Sequence, residues 1–173
     1  MSTLKVGTIQ DHTNSITAMS IDSSGRVTTP ARPMFRAYYG ATGWLDIVHN
    51  GNRRINFNTE KYDVGGCYNT STATFTAPVT GYYHLYTYAY VHNNTGVKTL
   101  ILQMGTSDPA SGEVIGLHQA NHGEPGTMQI HATHYFTANQ SCAAYLYQTN
   151  DTVNGIYSDN TTTYSAFEGY LVG

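Results

Sequence analysis

The hydrophobic pattern peaks between Gly81 and Val91, GYYHLYTYAYV, where apolar or aromatic side chains occupy both parities of the alternation. A strand here sets Tyr83, Leu85, Thr87, Ala89 and Val91 on one face and Tyr82, His84, Tyr86, Tyr88 and Tyr90 on the other. The first set reads as core. An antiparallel sheet normally turns its second face to water, so the tyrosine stripe predicts a further layer or another subunit lying over it.

Around that strand the pattern predicts many short strands and no helix, because no window holds a helical period over several turns. Residues 34–38, 44–48 and 73–76 read as strands, with another resuming at Ile55 and Phe57. After the central strand come 97–104, 113–118, 128–136, 142–147 and 163–172. Asn50-Gly51 is a strong hairpin signal between the strands on either side of it. Residues 58–66, 105–112, 122–126 and 149–160 read as loops or turns. Residues 1–32 differ, being poor in aromatics and rich in small polar side chains. They read as an arm of two short strands, around 4–8 and 18–27, with a turn at Asp22-Ser23-Ser24-Gly25, and Pro30 and Pro33 mark its exit. So short a hairpin is marginal alone and is expected to pair with a partner or with its own copies.

Composition narrows the function. The 173 residues suit one domain, 1–32 being the arm and 33–173 the head. Charged residues make up only 11% of the chain, while Tyr numbers 15 and Gly 17, a β-rich signature. A net charge of -3 with eight scattered Lys and Arg argues against nucleic acid and anionic membranes. No run approaches ~18 apolar residues, so membrane insertion is not expected. The opening MSTLKVGTIQ has no apolar signal core, and cytoplasmic synthesis is expected. Cys67 and Cys142 have no metal-ligand spacing and read as buried thiols. The Asn-x-Ser/Thr triplets at Asn69, Asn93, Asn139, Asn150 and Asn160 read as ordinary turns.

Phe57, Asp63, Tyr68, Phe75, Gly81 and Tyr83 fall at the spacing of the signature of the complement component 1q globular head domain. The opening Pro33-Met34-Phe35-Arg36-Ala37-Tyr38 and the ending Ser165-Ala166-Phe167-Glu168-Gly169-Tyr170-Leu171 are similar to that family's first and last strands. The resemblance covers residues 33–173; Leu85 and Thr87 depart from it, standing where the family usually has aromatic residues. It implies an all-β fold, a ten-stranded antiparallel jelly roll like that of tumour necrosis factor, assembled as a homotrimer. Tyr83 then belongs to the core, and Tyr82, His84, Tyr86, Tyr88 and Tyr90 form the expected trimer interface. The arm, through Lys5-Val6-Gly7-Thr8-Ile9-Gln10 and Ile21-Asp22-Ser23-Ser24-Gly25-Arg26-Val27, resembles the leader before appended head domains in structural proteins of tailed bacteriophages, especially those of marine cyanobacteria. That resemblance implies a virion protein joined to other virion proteins through residues 1–32.

Candidate chemistry is sparse. His118, His122, His131 and His134 raise a metal reading, but His131 and His134 point to opposite faces of one strand and cannot chelate together. His84 would approach a three-fold axis in three copies, where a water or an ion has room. Asp46, Asp63, Asp108, Asp151 and Asp159 are scattered over predicted turns, with no pair placed for acid–base catalysis. Some members of the family bind calcium through loop carboxylates, a role open to Asp151 or Asp159, although no recognisable calcium loop is present. There is no nucleophile elbow, phosphate loop or metalloprotease motif, so neither an enzyme nor a cofactor is expected. Loop Tyr, Asn, Ser and Thr suit recognition. The candidates are Asn94, Ser107, Asp108, Asn121, His122, Asn154 and Tyr157. The expectation is a trimeric phage structural protein, assembled in the host cytoplasm and resident in the virion. It is either a tail-fibre head binding a host-surface glycan or protein, or a capsid decoration protein.

Overall fold

The computed structural model describes residues 4–47, 51–91, 96–105, 111–121, 125–149, 154–158 and 163–173. Among them are sixteen strands and no helix. The first three, β1 (Thr8–Gln10), β2 (Thr17–Ile21) and β3 (Val27–Thr28), form a small antiparallel sheet in the order β1-β2-β3. The arm therefore has three strands where two were expected. The Asp22 carboxylate accepts the backbone N–H of Ser24 at 2.9 Å and of Arg26 at 3.0 Å, closing a turn tight enough to send β3 back along β2. The sheet has two unlike faces. Ile9 pairs with Met19 and Ile21 with Val27, whereas Thr8 pairs with Ser20 and Ser20 with Thr28. The four apolar side chains stay 39–56% exposed.

The remaining strands build a two-layered antiparallel jelly roll. One sheet holds β4 (Met34–Tyr38), β5 (Gly43–Asp46), β7 (Thr59–Val64), β10 (Gly81–Val91), β13 (Gly126–Phe136), β15 (Asn154–Ser158) and β16 (Ala166–Leu171). It runs β5-β15-β10-β16-β4-β7, with β13 also pairing β10. The other holds β6 (Gly51–Arg54), β8 (Tyr68–Asn69), β9 (Thr74–Thr76), β11 (Val97–Met104), β12 (Val114–Asn121) and β14 (Ser141–Gln148). Its order is β12-β11-β14-β9-β8, with β6 also on β14. The core lies between them. Tyr83, Leu85, Thr87, Ala89 and Val91 are all fully buried, facing Leu100, Leu102 and Leu146 of the opposite sheet within one cluster apart from the polar Thr87. The Thr87 hydroxyl donates to the Ala166 carbonyl at 3.0 Å, which removes the penalty for burying it.

Four local expectations are corrected. Residues 58–66 contain the strand β7, paired with β4 from Met34↔Val64 to Tyr38↔Thr59. Its sequence TEKYDV has no apolar alternation because it is the last strand of its sheet and much of it faces water. Residues 149–160 contain β15, with Ile156 fully buried and paired to Val91. Asn50 of the Asn50-Gly51 signal lies outside the described residues, and the strands on either side do not form a hairpin: β5 pairs β15, while β6 pairs β14 in the other sheet. Ile55 and Phe57, expected in a strand, follow β6 as non-strand backbone and are nonetheless fully buried. The Ile55 N–H donates to the Ala144 carbonyl at 2.9 Å, which anchors this descent into the core.

Candidate functional site

The outward face of β10 carries Tyr82, 54% exposed, and the half-buried His84, Tyr86, Tyr88 and Tyr90. Neighbouring strands extend this stripe into an aromatic surface. Register places His131 opposite Tyr86, where the rings stack at 4.2 Å and 19°. His84 lies 5.4 Å from Tyr170 of β16, and Tyr82 lies 5.2 Å from Tyr135 of β13. At the far end Tyr90, Tyr157, Tyr164 and Trp44 continue the surface through ring contacts of 4.9–6.4 Å.

At the centre of this face two phenols find partners within the chain. The Tyr86 hydroxyl donates to Gln129 Oε1 at 3.2 Å, and the Tyr88 hydroxyl donates to the Thr163 carbonyl at 3.2 Å while accepting from Arg36 Nη2 at 3.1 Å. Arg36 also pairs with Glu168 at 3.0 Å. Burial, with Tyr88 and Glu168 nearby, raises the Tyr86 phenol above its ordinary pKa. Between β7, β4, β16 and β10 the face sinks into a groove of about 470 Å³, lined by Tyr62, Met34, Glu168, Tyr170, His84, Tyr86 and His131. A broad surface of rigid rings, with the polar tips at its centre paired within the chain, suits contact with a large partner.

The positions that carried the family signature hold the frame beneath this face. Phe57, Phe75, Tyr83 and Phe167 are at most 1% exposed, and Tyr68 is 6% exposed. Asp63, at the end of β7, accepts the backbone N–H groups of Cys67 at 2.9 Å and Tyr68 at 3.0 Å, with the Cys67 thiol at 3.3 Å. It thereby ties edge strand β7 to β8 of the other sheet. Asp63→Ala is predicted to cost about 3 kcal/mol, since hydrogen bonds to a charged group contribute roughly 1.5–3 kcal/mol each. Urea unfolding measures it, and an unchanged midpoint would mean that water replaces the carboxylate. Gly169 is needed for close approach: a Cβ there would lie 2.5 Å from Cδ2 of the fully buried Leu85 and 3.0 Å from the His84 carbonyl oxygen.

Both cysteines are buried free thiols. Burial pushes both thiols well above the ordinary range, with Asp63 adding to the effect at Cys67. A thiol that stays protonated when folded but ionises when unfolded makes stability fall as pH rises above the unfolded value of about 8.5. Cys142 alone is expected to remove about 1.4 kcal/mol per pH unit beyond that point. Unfolding of wild type and Cys142→Ala between pH 8 and 10 checks this: equal slopes would contradict it.

Comparison with known proteins fits this frame. The profile of the C1q domain matches residues 45–172. The chain belongs to the C1q domain family. Among curated proteins none is similar to it. Solved structures with the same fold include Eiger TNF from S. frugiperda, at 11% identity and a TM-score of 0.58, covering 83% of this chain and 94% of that one. The globular domain of zebrafish complement 1qA protein matches at 17% identity and a TM-score of 0.51, over 82% and 98% of the two chains. Murine APRIL matches at 10% identity and a TM-score of 0.57, over 81% and 98%. C1q- and TNF-like domains are typically ligand-binding or structural modules and are commonly trimeric.

In this C1q domain the other candidate residues are dispersed. Asn94, Ser107, Asp108 and His122 lie outside the described residues, as do Asp151 and Asp159. Asn121 is the exposed last residue of β12. Asn154 and Tyr157 were expected on a loop but belong to β15; the Tyr157 ring packs on Trp44 at 4.9 Å, which draws this segment into the sheet. His131 faces outward, while His134 lies edge-on to Phe136 at 5.2 Å and His118 Nδ1 accepts the Gln129 N–H at 3.2 Å. Among the described residues no three His, Cys, Asp or Glu gather as metal ligands. Sequence reasoning missed His131, Tyr135, Tyr170 and Tyr157 as extensions of the aromatic face, because only strand register brings them beside β10.

Proposed function

We propose that this C1q domain is the head of a homotrimeric, non-enzymatic structural protein of a tailed-bacteriophage virion, a tail-fibre head that binds a glycan or protein on the host surface. The observation that carries the trimer is the aromatic face of β10, half-exposed in a single chain. C1q and TNF family members are homotrimeric, which fits such a face. Burial of a large side chain contributes roughly 1.5–3 kcal/mol, so four tyrosines repeated in three chains hold an assembly strongly. The phage setting is supported by the leader-like phrases at residues 5–10 and 21–27. The uncovered apolar face of β1–β3 supports residues 1–32 as the segment that attaches to other virion proteins and helps set the three-fold axis, with 33–173 as the head.

Copy number tests the placement. Quantitative mass spectrometry of purified virions is expected to find a few trimers per particle, and purified trimer is expected to compete with phage for adsorption to host cells. Hundreds of copies per virion would instead assign the chain to capsid decoration, with the arm clamping neighbouring capsid subunits.

A further inference from the structure

We infer that the cleft between β5, β6 and the β8–β9 turn is a binding site for an acidic saccharide, one bearing a carboxylate or sulfate. The cleft measures about 400 Å³ and is lined by Arg53, Arg54, Asn56, Ser71 and Thr72, with Leu45 and Ala73 as its apolar wall. Among the described residues no carboxylate lines it. Arg53 and Arg54 are consecutive and bring their guanidinium groups to this cleft on a chain of net charge -3.

Both arginines are positioned by backbone carbonyls. Arg53 Nη1 donates to the Asp46 carbonyl at 3.0 Å, and Arg54 Nη1 donates to the Thr72 carbonyl at 2.6 Å and to Thr74 Oγ1 at 3.1 Å. Such contacts fix the planar forks, and the carbonyl contact leaves the charge of Arg53 in place: among the described residues Arg53 makes no ion pair. The facing turn is equally set. Asn69 Oδ1 accepts the Ser71 N–H at 2.9 Å and the Ser71 hydroxyl at 2.6 Å. Ala73 holds a left-handed φ of 49° while only 2% exposed. That backbone is unfavourable for alanine, and local strain of this kind gathers at binding sites.

The chemistry selects the ligand class. A guanidinium fork matches a carboxylate or sulfate in two parallel hydrogen bonds, and the Asn56 amide and the Ser71 and Thr72 hydroxyls complement sugar hydroxyls. The volume suits one or two sugar rings. The inference deepens the receptor reading by naming a ligand class, yet the site is whole within one chain and does not depend on the trimer.

Isothermal titration of the full chain with tetragalacturonate, a sulfated chondroitin tetrasaccharide and neutral maltotetraose tests it. Binding of an acidic tetrasaccharide is expected, weakening with added salt and at least tenfold in Arg53→Gln, while Arg26→Gln in the arm leaves it unchanged. Arg53→Lys is expected to recover only part of the loss, because it restores charge but not the fork. Absence of binding, equal binding of maltotetraose, or unaltered binding by Arg53→Gln with an unchanged circular-dichroism spectrum each overturns the inference. Phage adsorption tests the receptor reading separately: acidic-sugar binding without an effect on adsorption sinks that reading and leaves the cleft assigned.

Discussion

Tyr86→Asp is expected to convert the trimer into folded monomers, moving the sedimenting species from about three times 18.9 kDa to 18.9 kDa. Tyr86 is central to the outward face of β10, stacked on His131 at 4.2 Å and 5.4 Å from Tyr88. In one chain that position is half-exposed, so a carboxylate there is solvated and the core on the other side of the strand is untouched. In a trimer closed over this face, three carboxylates would enter the seam together. Each unpaired buried charge costs several kcal/mol, which exceeds what a single tyrosine contributes by burial. Tyr86→Phe serves as the control: it loses one hydroxyl bond to Gln129 and keeps the ring, so the trimer is expected to persist. An intact trimer in Tyr86→Asp would move the interface to another surface.

How far the sequence reaches is visible strand by strand. The odd positions of Gly81–Val91 are all fully buried, because period-two alternation is a local property of a strand and needs no knowledge of its neighbours. The jelly-roll frame was legible for a related reason: signature residues such as Phe57, Asp63 and Tyr68 fall at spacings set by the tie between β7 and β8. What failed was non-local. Thr59–Val64 is polar because it is the last strand of its sheet, so its sequence looks like a loop. Asn154–Ser158 has one fully buried large apolar residue, Ile156, and ring partners at Trp44, Tyr90 and Tyr164 that only the fold brings together. Asn-Gly signals a turn without saying whether the next strand stays in the same sheet, and here it changes sheets. The candidate site divides in the same way. Tyr82 to Tyr90 followed from alternation alone, whereas His131 beside Tyr86 required the register of β10 with β13. The arginine cleft was hidden because β14 pairs both β6 and β9, carrying Arg53 and Arg54 to a turn some twenty residues away.

Phe35→Ala is expected to remove about 4 kcal/mol of stability, within the roughly 3–5 kcal/mol seen for buried phenylalanine truncations. Phe35 is fully buried at the meeting point of the two sheets. Its ring stacks on Tyr68 at 4.9 Å and Phe75 at 5.2 Å, and meets Phe167 edge-on at 5.0 Å. The cost is not at the low end of the range because the void cannot readily close. Gly169, whose built Cβ would stand 3.0 Å from Phe35 Cε1, has no side chain to move in, and Tyr68 is held by its hydroxyl bond to the Phe57 carbonyl at 3.0 Å. Against a total stability of about 5–15 kcal/mol for a domain, such a loss leaves little margin. Urea unfolding in a Tyr86→Asp background measures it without a contribution from association, the two sites lying on opposite faces of the same sheet. Phe35→Leu is expected to lose less than half as much, since it refills most of the volume but not the stacking. A loss below about 1 kcal/mol for Phe35→Ala would show that the surrounding rings relax into the space, and that the aromatic cluster does not set the spacing of the two sheets.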